Sequence, residues 1–127
     1  MLSVNPQTIA RLIALSRAFH AKEEVVIPQE PNSPSDDWAL QALASHEEDE
    51  FYGEFVSIVD DLEPDQQQEV VALLWLGRGD GTAEEWDDLL QQAAEQWNPR
   101  TADYLLAHPL LSEHLREGLD LLGYEEE

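Results

Sequence analysis

The chain has no cysteine, a single lysine at position 22, and no apolar run longer than the seven residues from Val70 to Leu76. Without cysteine there is neither a disulfide framework nor a thiolate zinc site. A seven-residue apolar run is far too short to cross a bilayer, so the residues that form it must be covered by other parts of the fold. The amino end, Met1-Leu2-Ser3-Val4-Asn5-Pro6, has no basic n-region and no apolar h-region. That predicts a cytoplasmic protein rather than a secreted one.

Positive charge is the other shortage. Six basic residues stand against 28 acidic ones, for a formal net charge of -22. Residues 36 to 69 contain 12 acids and no Lys or Arg. Such a surface repels phosphate backbones and anionic lipid, which argues against direct nucleic-acid binding and against a membrane role. Three readings of the charge stay open: solubility or high-salt adaptation, a docking face for a basic partner, and mimicry of a nucleic acid. A disordered acidic tail is not among them, because apolar residues keep a helical period nearly throughout.

What is present is a series of helix starts and stops. Asn5-Pro6 is a cap-and-proline start, with Val4 placed to staple onto Ile9. Ile9, Leu12, Ile13, Ser16 and Phe19 form the first apolar stripe, and Arg11, Arg17 and Lys22 lie along the same helix. Pro28, Pro31 and Pro34 make residues 23–35 an extended connector. Ser33 or Ser35 can cap a short helix carrying Trp38, Leu40 and Leu43. Ser45-His46-Glu47-Glu48 matches a capping box, and its helix carries Phe51, Phe55, Ile58 or Val59, and Leu62. Pro64 opens a central helix, with Glu63 a poor cap, and Gly77 is expected to end it as the left-handed C′ residue. Thr82-Ala83-Glu84-Glu85 is another capping box, opening a helix over 83–97 with Trp86, Leu89, Leu90, Ala93 and Trp97 on one face. Asn98-Pro99 starts a short helix carrying Ala102, Leu105 and Leu106, which His108-Pro109 ends. Leu111, Leu115, Leu119 and Leu122 mark the last helix, within which Gly118 would permit close helix contact; Gly123 stops it, and Tyr124 to Glu127 are expected to fray. The predicted fold is all-α: a single domain over 1–124, six or seven short helices around a buried central one, then an acidic tail at 125–127.

Few of the residues suited to chemistry converge. Gly77-Arg78-Gly79-Asp80-Gly81 fails as an EF-hand loop at its opening ligands, and as a phosphate loop for want of Gly-Lys-Ser/Thr. No histidine has a Glu three residues before it, and no second histidine completes a zincin pattern. No nucleophile elbow or triad can be assembled. The sequence therefore predicts no catalytic residue, no metal and no cofactor. The plain reading of the glycine-rich turn is structural: Asp80 bonds local N–H groups, and Arg78 pairs with a carboxylate or caps the preceding carbonyls. Arg78 is nonetheless a rare cation at the mouth of a helical hairpin. Arg78 and Asp80, together with Arg100, Asp103 and Tyr104, are the candidate binding residues.

The chain resembles a family of small bacterial all-helical proteins catalogued only as a domain of unknown function. The resemblance rests on Pro34-Ser35-Asp36-Asp37, on Val71-Ala72-Leu73-Leu74-Trp75-Leu76-Gly77-Arg78-Gly79-Asp80, on Glu85-Trp86, on Thr101-Ala102-Asp103-Tyr104-Leu105-Leu106 with Pro109-Leu110-Leu111, and on Gly118-Leu119. It implies a single-domain protein and supplies no activity. The leading functional expectation is a non-enzymatic interaction or regulatory module docking a basic partner. The alternatives are a small-ligand binder or enzyme using the Arg78/Asp80/Arg100 end, and a nucleic-acid mimic. Oligomeric state is not legible in the sequence.

Overall fold

The first helix begins where the sequence says it should. Asn5 caps it, its side-chain oxygen accepting from the Gln7 N–H at 2.8 Å, and Pro6 occupies the first turn. In this computed structural model, which describes residues 2–21 and 49–124, six α-helices and one 3-10 turn are found. They are α1 (Pro6–His20), α2 (Glu50–Asp61), α3 (Pro64–Arg78), the 3-10 turn Ala83–Glu85, α4 (Trp86–Gln96), α5 (Thr101–Leu106) and α6 (Leu111–Leu121). The expected connector at 23–35, the helix carrying Trp38, the capping box at Ser45–Glu48 and the tail at 125–127 lie outside the described residues. So does Lys22. The fold is all-α, with one core shared by all six helices.

α3 is the centre of that core. Every residue from Val70 to Leu76 is buried, as expected of a helix with no polar face. Its most extensive neighbour is α6, followed by α4. Two glycines set the approach of α3 to α6. A Cβ on Gly77 would lie 1.7 Å from the His114 carbonyl oxygen, and one on Gly118 would lie 2.6 Å from that of Leu73. The two helices therefore run antiparallel, backbone against backbone. Gly118 plays the close-contact part expected of it.

Gly77 does not play the part expected of it. It sits inside the helix, which runs on to Arg78, and the left-handed C′ residue is Gly79 with φ +95°. The Gly79 N–H donates to Leu76 O at 3.1 Å and the Asp80 N–H to Trp75 O at 2.9 Å, the paired bonds of a Schellman cap. Two glycines two residues apart serve different purposes here, one contact and one turn. Sequence spacing alone does not separate them.

Polar side chains tie the remaining helices together. Gln67 donates from Nε2 to the Val59 and Leu62 carbonyls at the end of α2, and its Oε1 accepts from the Trp97 indole N–H at 2.7 Å just beyond α4. Glu69 accepts from the N–H groups of Ser3 and Val4, fastening the segment before α1 to α3. Tyr124 does not fray: its hydroxyl accepts from the Leu2 N–H at 2.9 Å, and its own N–H donates to Leu119 O. Other starts shift slightly. Asp49 caps α2, its carboxylate accepting from Phe51 and Tyr52 N–H. Gln66 reaches back to the Glu63 N–H at 3.0 Å and makes good the weak Glu63 cap. Asn98 accepts from Arg100 N–H, and helical geometry begins at Thr101 rather than at Pro99.

Candidate functional site at the glycine elbow

The turn between α3 and α4 is braced from inside the protein. Arg78, the last residue of α3, donates from Nε and Nη2 to the Asp80 Oδ2, at 3.0 and 2.6 Å. Its Nη1 lies 3.1 Å from Nε2 of His108, a residue with no solvent exposure at all. The other ring nitrogen, Nδ1, lies 2.9 Å from the Tyr104 carbonyl oxygen, and the Tyr104 ring stands edge-on to the imidazole at 4.8 Å. The Tyr104 hydroxyl in turn accepts from the Trp75 indole N–H at 2.9 Å. A chain of polar contacts thus runs from the middle of the core to the solvent: Trp75, Tyr104, His108, Arg78, Asp80.

The donors and acceptors of this chain are fixed by chemistry. A carbonyl oxygen only accepts and a guanidinium only donates, so His108 carries its proton on Nδ1 and presents a bare Nε2 to Arg78. The ring is neutral. Burial, with the Arg78 charge acting in the same direction, pushes its pKa down to about 4 from an ordinary 6.5, against the opposing pull of the Tyr104 and Leu105 backbone contacts. Burial also raises the Tyr104 hydroxyl above its usual value, against the Trp75 bond and the Arg78 charge. Both nitrogens of His108 are engaged, so in this arrangement the ring neither takes a proton from a substrate nor ligates a metal. Among the described residues, no group of three or more His, Asp or Glu is placed to hold a metal ion.

The five candidate residues do not form one site. Arg78, Asp80 and Tyr104 belong to the polar chain. Asp103 turns the other way and accepts a hydrogen bond from the Tyr52 hydroxyl, joining α5 to α2. Arg100 is exposed at the opposite end of α5 from His108, its carbonyl accepting from the Tyr104 N–H. Arg78 is a strut rather than a loose cation; the carboxylate it pairs with is Asp80, two residues on. In the sequence reading, His108 serves only as half of a helix stop with Pro109. The usable signal is its i, i+4 spacing from Tyr104, opposite the arginine that ends α3.

Residues 52–124, more than half of the chain, match a family described as protein of unknown function (DUF3775). The chain belongs to this family. The DUF3775 match contains every residue of the polar chain as well as both contact glycines, and it leaves α1 outside. No curated protein and no solved structure matches the chain. No described helix is long and apolar enough to cross a membrane.

Proposed function

We propose that this protein is a non-enzymatic interaction module that docks a basic partner on the outer face of α4, next to the glycine elbow. The observation that carries the reading is where uncompensated negative charge lies. Asp88 and Glu95 are exposed seven residues apart on one face of α4, and the exposed Glu84 precedes them in the 3-10 turn that leads into the helix. Glu85 and Asp87 flank them, also exposed, and no Lys or Arg occurs from Gly79 to Pro99. Elsewhere the acids are partly answered, as at Glu54, which pairs with Arg11, and at Asp80, which pairs with Arg78. α4 lies mainly against α3, which leaves most of its polar side to a partner. The braced elbow would fix the angle at which that face is offered.

The test uses an arginine-rich peptide as the probe, with binding followed by fluorescence anisotropy. Glu84→Gln/Asp88→Asn/Glu95→Gln removes three charges from α4 and the 3-10 turn before it, and Glu50→Gln/Asp60→Asn/Asp61→Asn removes three from α2. Three exposed ion pairs at about 0.5 kcal/mol each amount to roughly a tenfold loss of affinity for the α4 variant. The α2 variant is expected to lose much less, and binding by the unaltered chain should weaken as salt rises. Equal losses in the two variants would reduce the effect to overall charge and refute a docking face.

A further inference from the structure

The polar chain behind the elbow has a property that static bracing does not need. Its central link depends on one lone pair, at Nε2 of His108, aimed at Arg78 Nη1 at 3.1 Å. A proton added there would set two donors face to face, since Nδ1 is already committed as the donor to Tyr104 O. We propose that His108 is a proton-operated latch on the elbow: taking up a proton at Nε2 parts the ring from Arg78 and loosens the Arg78–Gly81 turn.

The surroundings disfavour an imidazolium while the elbow is closed. The titratable and charged groups around the ring, among the described residues, are Arg78 on α3, Asp80 in the turn, Tyr104 on α5 and His114 on α6. Two of them, Arg78 and His114, oppose a second positive charge. Tyr104 stays neutral, because burial raises its hydroxyl pKa. Asp80 is the one carboxylate in the group, and it is already shared by two nitrogens of Arg78. The closed elbow therefore has nothing with which to settle an imidazolium, whereas an open one exposes the ring to water. The backbone is suited to opening. Gly79 adopts φ +95° and would meet nothing within 4 Å of an added Cβ, and Asp80 has a side chain 44% exposed. The two Schellman bonds and the Arg78 contacts, among them one to the Tyr104 hydroxyl, hold the turn down. The latch stands or falls independently of whether α4 docks a partner.

Hydrogen exchange in the full chain tests it. The Gly79 and Asp80 amides report elbow opening through their bonds to Leu76 and Trp75, and the buried amides of Leu74 and Leu105 report global unfolding. If opening restores the ring from a pKa of about 4 to its ordinary 6.5, the elbow's opening constant rises about 30-fold between about pH 7.5 and pH 5, after correction for intrinsic exchange. The elbow amides are expected to follow that curve at opening constants well above those of the core amides. His108→Gln, which can still accept from Arg78, should flatten the curve, and His20→Gln should leave it intact. Elbow and core amides exchanging in step in the unaltered chain would overturn the proposal even if His108→Gln failed to fold. A pH dependence that survives in His108→Gln would overturn it as well.

Discussion

Replacing Gly77 by alanine puts the packing of α3 on α6 to a sharp test, because two known effects of opposite sign compete. In a helix interior alanine is favoured over glycine by about 1 kcal/mol, so an unobstructed site gains stability. At Gly77 the new Cβ would stand 1.7 Å from the His114 carbonyl oxygen, 2.6 Å from its carbon and 3.0 Å from the Gly118 nitrogen. All three are backbone atoms, so no side chain can step aside. Carbon and oxygen need a little over 3 Å between them, so the helices must part by an ångström or more along the most extensive interface in the fold. Overpacking costs about 1–3 kcal/mol, and a clash this deep against backbone atoms belongs at or above the top of that range, so after the gain of about 1 kcal/mol the net loss should be about 2 kcal/mol or more. Gly53 is the control. It lies on the exposed side of α2 with nothing within 4 Å of an added Cβ, and Gly53→Ala should gain about 0.5–1 kcal/mol. Urea melts of the two variants beside the parent chain give both numbers from shifts in midpoint at constant slope. A Gly77→Ala chain as stable as the parent would mean that α3 and α6 do not approach backbone to backbone, and the core built on that approach would have to be redrawn.

The buried polar groups lead to three further outcomes. Arg78→Ala removes an ion pair worth little at the surface, but leaves the His108 Nε2 buried without a donor; the cost should be about 2 kcal/mol by urea melt, and a neutral result would mean that Arg78 braces nothing. Gln67→Ala strands the Trp97 indole N–H and removes the donor to the Val59 and Leu62 carbonyls, which should cost about 2–4 kcal/mol; a loss below about 1 kcal/mol would show those groups to be solvated. Stability should also fall on mild acidification. Between an ordinary 6.5 and the native value of about 4, the unfolded chain holds a proton on His108 that the folded chain does not, so stability is lost as pH drops through that window. His108 alone accounts for up to about 3 kcal/mol, and His20, lowered by burial against its bond to Leu106 O, acts in the same direction. Melts at a series of pH values that show no loss before the carboxylates titrate would contradict the buried neutral ring.

Local rules and apolar period carried most of the fold. Asn5-Pro6, the Val70–Leu76 run and the leucine stripe of α6 each state their structure within a few residues, because capping and amphipathicity act over one or two turns. What stayed hidden depends on contacts distant in sequence. Gly77 looks like a helix end until α6 is laid against it, with His114 37 residues away in sequence. Tyr124 looks like a loose end until its hydroxyl meets the Leu2 amide. The site divides in the same way. The Arg78–Asp80 pair is local, its two members two residues apart in one turn. That Arg78 also reaches a buried histidine follows only from the packing of α5 and the α5–α6 junction under the end of α3. The separation of Asp103 from that group follows from α2, whose Tyr52 draws the carboxylate to its own side.

The whole account of the elbow rests on the state of one imidazole. Nitrogen-15 chemical shifts of the His108 ring, recorded on the full chain near neutral pH, report that state directly. The account predicts a protonated Nδ1 and a bare, hydrogen-bond-accepting Nε2, in a single tautomer that persists as neighbouring surface groups titrate. A proton on Nε2, or the averaged shifts of a ring exchanging tautomers in water, would contradict it.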